Sequence, residues 1–189
     1  MAGPAQIIVP LEIETARLLL RCPQPGDGAI VHASVVASLA ALREFPASLP
    51  WAMADPSVAA SEQFCREGRA SYLARTGFPM LIFARDSGAH VGNCGLHDFN
   101  WDVPKCEIGY WVHAGHARRG FLTEAVTALT TFALETLRVR RICALPDAEN
   151  RRSCRVCERA GYALEGTLRH DRIAPDGSLR STRVYAMTR

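Results

Sequence analysis

The sequence lacks the features that mark several classes of protein. It has no run of about 18 apolar residues that would span a bilayer, and its first residues, MAGPAQIIVP, lack the charged and apolar regions of a secretory signal. It contains neither an internal repeat nor a low-complexity tract. Its net charge of +3 is far below the basic excess of nucleic-acid-binding domains, although it suits an anionic small ligand. These absences predict a cytoplasmic protein without a membrane or nucleic-acid partner.

The cysteines do not indicate a disulfide framework. There are seven, an odd number, and without a secretory signal they are expected to be reduced and mostly buried. Cys154 and Cys157 have a spacing found in redox and metal motifs. However, no second pair completes a four-ligand zinc site, and residues 150–153 do not provide the strand of a thioredoxin-like motif. We therefore predict helix-packing cysteines and no metal, and we interpret His113 and His116 as loop residues.

The length of 189 residues and the hydrophobic content of 48% are those of one globular domain. We predict an N-terminal arm over residues 1–14 and one α/β (α+β) domain over residues 15–189. Its mixed, mostly antiparallel sheet would have about seven strands, flanked by helices and including one right-handed crossover. The predicted strands are 17–21, 80–85, 91–99, 107–113, 141–145, 163–170 and 181–187. The predicted helices start at Asp27, at residue 58, after Gly120 and after Asn150. Asp27 is expected to act as an N-cap, and the last helix is expected to stop at Gly161. The helix after Gly120 has one apolar stripe, formed by Ala125, Val126, Leu129, Phe132, Ala133 and Leu137.

Residues 107–125 read as a strand, a glycine-containing loop and a helix. Main-chain N–H groups at the start of a helix are unpaired and favour anions. Gly120 would permit close approach of a phosphate, and Arg118 and Arg119 would add positive charge. The segment therefore indicates a diphosphate site, and the competing interpretation is a plain joint with two solvated arginines.

A second segment begins with Asn150-Arg-Arg-Ser153 about thirty residues later. Both polar residues stand at cap and first-turn positions of a helix, so a capping role is an alternative to a functional one. The order and separation of the two segments favour a shared functional site.

From about Thr15 to its end, the chain resembles the GNAT superfamily, in particular the RimJ/RimL-like N-acetyltransferases. The resemblance rests on six segments found in the same order. These are Thr15-Ala-Arg-Leu-Leu-Leu-Arg21, Val91-Gly-Asn-Cys-Gly-Leu96, Glu107-Ile-Gly-Tyr-Trp111, Gly120-Phe-Leu-Thr-Glu-Ala125, Asn150-x-x-Ser153 and Gly161-Tyr-x-Leu-Glu-Gly166.

The resemblance implies a fold whose fourth and fifth strands splay apart, with the pantetheine arm of acetyl-CoA held in the gap. Asn150 and Ser153 would face that arm and its sulfur. The strand contacts would come from Tyr110, Trp111 and Val112, and the diphosphate contacts from Arg118, Arg119, Gly120, Phe121, Leu122 and Thr123. The chain departs from the family's acyl-CoA loop at Ala117 and Leu122, where the family usually has Gln or Arg and Gly or Ala.

Our first candidate for a general base is Glu107. Strand alternation places it on one face with Trp111, and Ile108, Tyr110 and Val112 on the other. A carboxylate in so apolar a strand is costly to bury unless it is paired or functional. The alternative is a structural ion pair with Arg141 on a neighbouring strand. We place His97 and Asp98 near the other end of the sheet, as substitute bases acting through a water.

Two further residues near the end of the chain bear on the acid–base assignment. In RimL-like enzymes, an acidic residue after the Leu-Glu-Gly strand has been assigned as base, but this chain has Arg172 there, beside Asp171. Ser153 is our candidate for protonating the departing thiolate. Tyr162 is interpreted as core packing.

The predicted activity is an acetyl-CoA-dependent N-acetyltransferase acting on a peptide N-terminus or a small-molecule amine, as a monomer or homodimer. Acceptor choice is assigned to residues 40–75 and to the hairpin around Pro175. The alternative, suggested by Ala117 and Leu122, is an acyl-CoA-binding sensor without catalysis.

Overall fold

Short runs rich in leucine, isoleucine, valine and phenylalanine build one eight-stranded sheet. The computed structural model describes residues 7–189. In chain order the strands are β1 Glu12–Glu14, β2 Leu18–Arg21, β3 Phe78–Ala84, β4 His90–Asn100, β5 Lys105–Val112, β6 Arg141–Ala144, β7 Ala163–Ile173 and β8 Leu179–Thr188. The helices are α1 Gly28–Leu42, α2 Val58–Ala74, α3 Phe121–Glu135 and α4 Arg151–Arg159, with 3-10 turns at Pro50–Met53 and Ala114–His116.

The sheet order is β1-β2-β3-β4-β5-β6-β8-β7, and every neighbouring pair except β5–β6 is antiparallel. A parallel pair needs a crossover connection, which α3 provides between β5 and β6. The predicted α/β class and mostly antiparallel sheet are confirmed. None of the helices within residues 7–189 is both long and apolar enough to cross a bilayer.

The sheet begins at Glu12, ahead of the predicted boundary at Thr15. Glu12 pairs with Arg21 of β2, and the Cys22 amide donates to the Leu11 carbonyl at 2.8 Å, which holds this part of the predicted arm against the sheet. Residues 1–6 of that arm lie outside the described residues.

The two faces of the sheet carry different helices. The apolar stripe predicted for α3 is buried against one face, together with the inward residues of α4. Helix α1 packs Val31 and Val35 on the opposite face, against Leu81 and Phe83 of β3. Helix α4 ends where expected, because Gly161 adopts the left-handed conformation at φ +89°.

Asp27 precedes α1 as predicted, but its carboxylate does not cap the helix. It forms a two-point ion pair with Arg21, both N···O distances being 2.7 Å, and accepts from the Gln24 amide. The Gly28 amide instead donates to the Glu62 carboxylate of α2. Glu62 therefore takes the capping role that was expected of Asp27.

Candidate active site

The loop between β5 and α3 ends in a row of main-chain donors. Arg118 and Gly120 both have positive φ values, 65° and 78°, which turn the chain sharply into the helix. Within residues 7–189, the N–H groups of residues 118–123 donate to no main-chain acceptor, and no side chain caps α3. Arg118 and Arg119 are exposed beside them. The geometry is that of an anion site at a helix start.

Arg17 and Glu124 fix this helix start to the chain before β2. The Arg17 Nε lies 2.6 Å from one Glu124 oxygen, and the Arg17 Nη1 donates to the Arg119 carbonyl at 3.1 Å. Thr15 donates its hydroxyl to the other Glu124 oxygen at 2.6 Å. The Arg17 guanidinium also stacks 4.8 Å above the Phe121 ring. The carboxylate in the first turn is therefore engaged by Arg17 and does not oppose an incoming anion as a free charge.

Strands β5 and β6 pair only at their beginning. Their parallel register covers three positions and ends where Glu107 lies opposite Cys143. From Ile108 to Val112, the edge of β5 facing β6 has no strand partner within residues 7–189. The splay that the family resemblance implied between the fourth and fifth predicted strands is therefore present between β5 and β6.

Side chains of β5 alternate as predicted beside this gap. Tyr110 and Val112 pack against the cluster beneath α3 and α4, whereas Trp111 packs on the opposite side with the α1 cluster. The three residues predicted to contact the pantetheine arm therefore all lie on the unpaired edge of β5. Their side chains pack on both faces of the sheet.

The start of α4 closes the gap with polar groups. Asn150 caps the helix by accepting from the Ser153 amide at 3.0 Å, so the capping interpretation holds. The Ser153 hydroxyl donates to the Tyr110 hydroxyl at 3.0 Å, and the Tyr110 oxygen lies 3.0 Å from the Cys157 sulfur. Burial raises the pKa of Tyr110 well above its usual range and that of Cys157 to about 11. At neutral pH the Ser153 and Tyr110 hydroxyls and the Cys157 thiol are therefore all protonated.

The other residues considered as candidates from the sequence pack in the core or stabilise a local turn. Cys154 and Cys157 face the core from α4, and both thiols are free and buried, as the packing interpretation predicted. Tyr162 is buried and its hydroxyl lies 2.7 Å from that of Thr130, which confirms core packing. Of the two loop histidines, His113 accepts from the Gly115 amide within its own turn.

Glu107 lies opposite His97 on β4, in direct cross-strand register. The prediction that His97 and Asp98 lie near the other end of the sheet is therefore wrong. The predicted alternative partner, Arg141, also does not pair with Glu107. It forms a two-point ion pair with Glu165 of β7, at 2.8 and 2.5 Å.

Burial raises the pKa of Glu107. Electrostatic interaction with His97 and Arg172 opposes this shift, and interaction with Asp98 adds to it. His97 Nδ1 lies 2.9 Å from the Asp98 carboxylate, and the ligand atoms of His97, Asp98 and Glu107 all lie within 4.8 Å of one another. This cluster has the proton-accepting groups that amine deprotonation requires, and such donors also suit a cation.

Two cavities meet beside this cluster. One, of about 220 Å³, occupies the gap between β5 and β6 and is lined by Glu107, Asn150 and Ser153 among others. The other, of about 640 Å³, lies beneath α1 and α2, and residues within 51–71 form part of its lining. Both are lined by His97, Gly109 and Tyr110. Of the hairpin around Pro175, Arg172 of β7 lines the smaller cavity, whereas Pro175 is not among the lining residues of either cavity.

Sequence reasoning missed several residues of this arrangement. Asn93 and Arg172 line the cavities without having been predicted as site residues, whereas Trp51 lies within the segment 40–75 that was assigned to acceptor choice. The buried Asn93 side chain is oriented by His90, whose Nε2 lies 2.8 Å from the Asn93 oxygen. The available signal in the sequence was a glycine in each of two neighbouring apolar strands, Gly95 in β4 and Gly109 in β5. Such glycines often mark positions where a ligand approaches the backbone closely.

Comparison with known proteins identifies the family. Residues 17–163 match the acetyltransferase (GNAT) domain family. This match spans well over half of the chain, which therefore belongs to the GNAT family and is an acyltransferase. The uncharacterized N-acetyltransferase YoaA of Bacillus subtilis (strain 168) is 28% identical over 120 residues, covering 64% of this chain and 67% of that protein. Other curated relatives match over about half of their own length.

Solved structures share the fold at low sequence identity. The microcin self-immunity acetyltransferase MccE, in complex with acetyl-CoA and AMP, superposes with a TM-score of 0.85 at 17% identity, covering 96% of this chain and 98% of that one. RimL, a ribosomal α-N-protein acetyltransferase in complex with coenzyme A, has a TM-score of 0.85 at 20% identity, with coverage of 94% and 97%.

Proposed function

We propose that this chain transfers an acetyl group from acetyl-CoA to a primary amine by direct attack in a ternary complex. The observation that carries the proposal is the divergence of β5 and β6 after Glu107. It leaves a free strand edge that runs past Ser153 to the donor row at residues 118–123. The bound acetyl-CoA of MccE and coenzyme A of RimL support this choice of acyl donor.

The pantetheine arm would pair with the free edge at Tyr110, Trp111 and Val112, as an added strand does. The diphosphate would bind the main-chain N–H groups of residues 118–123, with Arg118 and Arg119 supplying charge. Asn150 and Ser153 line the small cavity at the end of this path, where the thioester would lie.

In the proposed reaction, the amine nitrogen attacks the thioester carbon and a tetrahedral oxyanion forms. Main-chain N–H groups of β5 stabilise that charge, and one such donor is worth about 3–4 kcal/mol in acyl transfer. Glu107, with His97 opposite it, takes the proton that the amine releases. The C–S bond then breaks, and the thiolate takes a proton from the Ser153 hydroxyl, which Tyr110 holds in place. Ser153 regains a proton from water, and Glu107 releases its proton to water, so both groups return to their starting state.

The acceptor is either a peptide N-terminus or a small amine. RimL acts on a ribosomal protein by its name, and YoaA leaves the acceptor open. We further infer a catalytic domain over residues 15–189, acting as a monomer or homodimer. Because all seven cysteines are free, a reducing, cytoplasmic compartment suits the chain.

The test is release of free thiol from acetyl-CoA with a panel of peptides and small amines. EDTA is included because His97, Asp98 and Glu107 would also suit a cation. Glu107→Gln should lower kcat by about 10²–10⁴-fold, the usual contribution of a general base. Because burial raises the pKa of Glu107, wild-type activity should rise with pH through that raised value, and this limb should vanish in the variant.

Glu135→Gln is the matched control, since it makes the same charge change at an exposed position of α3. It should retain wild-type kcat and its pH profile. An unaltered profile in Glu107→Gln would remove Glu107 as the base. Acetyl-CoA binding without thiol release from any amine would instead favour the alternative of a non-catalytic sensor.

A further inference from the structure

One proline and two glycines form the floor of the larger cavity. Pro79, Gly95 and Gly109 lie side by side across β3, β4 and β5. A Cβ added at Gly95 would lie 3.1 Å from the Pro79 Cα, and one at Gly109 would lie 3.1 Å from His97 Nε2. These positions keep a trough open over the sheet that ends at His97. Its volume of about 640 Å³ is within the range of small-molecule sites.

Aromatic side chains form the walls of this trough. The rings of Trp51 and Trp111 lie 6.4 Å apart between centroids and are tilted by 50°. Trp51 is 48% exposed and Phe64 is 39% exposed, and both line the cavity. Large apolar side chains held open around one cavity favour an occupant with an apolar body, which would cover them.

Charged groups at the cavity disfavour an anionic occupant. Among the described residues, no lysine or arginine lines it, whereas Asp55 and Glu67 do. The titratable group at its inner end is His97, which faces Glu107. A carboxylate or phosphate on the occupant would enter without a cationic partner and against acidic side chains, which is unfavourable away from water.

Two arginines near the cavities, Arg43 and Arg172, donate hydrogen bonds to other groups. Arg43 approaches Asp55 at 3.8 Å, but its Nε donates to the Ala52 carbonyl at 2.8 Å. Arg172 lines the smaller cavity, where its Nη1 donates to the Ser48 hydroxyl at 3.1 Å. A carboxylate next to the reacting amine would therefore compete with these groups for an arginine.

We propose that the acceptor is a small primary amine with an apolar, preferably aromatic, body and no anionic group. This inference rests on the acetyl transfer proposed above and names the substrate class for that same site. The apolar body lies against Trp51 and Trp111, over the glycine floor. The amine reaches His97 and Glu107, where the two cavities meet.

The test compares four acceptors in the thiol-release assay. They are 2-phenylethylamine, phenylalanine, phenylalanine amide and a short peptide with an N-terminal serine. The kcat/KM for 2-phenylethylamine should exceed that for phenylalanine by at least about tenfold, because an unpaired charge has to be desolvated. Phenylalanine amide, which adds a substituent without the charge, should fall between them. Equal or better use of phenylalanine, or a preference for the peptide, overturns the proposal.

A variant locates the effect in the cavity. Trp51→Leu should raise the KM for 2-phenylethylamine by about tenfold with little change in kcat, because only binding of the body is lost. Trp101→Leu is the control, since Trp101 stacks on Phe99 outside both cavities. Equal KM values in the two variants would remove Trp51 from the acceptor site and overturn the proposal.

Coenzyme A binding, measured by calorimetry, separates this inference from the proposed function. Lack of both coenzyme A binding and thiol release contradicts the proposed function. Coenzyme A binding with transfer only to anionic amines or to peptides contradicts the acceptor class alone. If coenzyme A binds but no acceptor is used, titration of the complex with 2-phenylethylamine and phenylalanine decides, and tighter binding of phenylalanine overturns the class.

Discussion

Replacing Gly120 by alanine tests the role of the donor row at the start of α3. Gly120 has φ +78° and ψ 0°, a conformation that costs an L-residue about 1–2 kcal/mol. A Cβ there would meet only the Arg17 Nη2, at 3.5 Å, which is an ordinary contact. The protein therefore accommodates the methyl group, and alanine is preferable to valine, whose branched Cβ makes a positive φ far worse.

Gly177→Ala provides a control with the same backbone cost. Gly177 has φ +82° and no atom within 4 Å of an added Cβ, and it lies in the turn between β7 and β8. The two variants should therefore lose similar stability, measured as Tm. Only Gly120→Ala puts a methyl group where a diphosphate would approach the main chain.

The expected loss of coenzyme A affinity follows from the hydrogen bonds involved. Each bond from an N–H group to a charged acceptor contributes about 1.5 kcal/mol or more. Losing two weakens binding about 100-fold. Calorimetric titration with coenzyme A should show this loss in Gly120→Ala and not in Gly177→Ala.

An acyl donor without the diphosphate gives an internal check. The kcat/KM for acetyl-CoA should fall about 100-fold in Gly120→Ala, whereas that for S-acetyl-pantetheine should match the control. The same coenzyme A affinity in both glycine variants would refute a diphosphate site at this helix. An equal loss of kcat/KM with both acyl donors would instead mean that the substitution disturbs the gap between β5 and β6.

Two further predictions concern the acid–base groups. Ser153→Ala should lower kcat, by about 10²-fold or more if the hydroxyl protonates the thiolate, and should leave the Kd for coenzyme A near the wild-type value. Tyr110→Phe is the comparison, and a larger loss of kcat there than in Ser153→Ala would make Tyr110 the donor. Glu107→Gln should raise Tm at pH 8. Because burial raises the pKa of Glu107, its contribution to stability is full below the unfolded pKa and is lost as pH rises through the folded value. The gain should therefore vanish near pH 4 in thermal melts, and a constant gain at all pH values would contradict it.

Periodicity in the sequence was sufficient to predict the elements that carry the site. The stripe of α3 and the alternation along β5 follow from local spacing, which is why the faces of Tyr110 and Trp111 were predicted correctly. Gly161 likewise ends α4 through its own backbone conformation. Such features depend on neighbours within a few residues, and a single sequence contains them.

Register between strands is the information that the sequence did not supply. The position of His97 opposite Glu107 depends on how the turn after Asn100 aligns β4 with β5, and the ladder shifts between His97 and Asn100. The position of Arg141 depends on β7, a strand that comes more than twenty residues later and binds it through Glu165. The first error concerns where strand register places two residues, and the second concerns an ion-pair partner on a strand that is distant in the sequence.

Ala117 and Leu122 differ from the residues usual in the family's acyl-CoA loop, but these differences should have little effect on diphosphate binding. The unpaired donors at residues 118–123 are main-chain N–H groups, which every non-proline residue supplies. Leu122 packs its side chain against the core cluster, away from a role as a polar ligand. What the loop needs from its sequence is the sharp turn at Gly120 and an anchored helix start, which Arg17 and Glu124 provide. The affinity for a diphosphate should therefore depend more on Gly120 than on either departure.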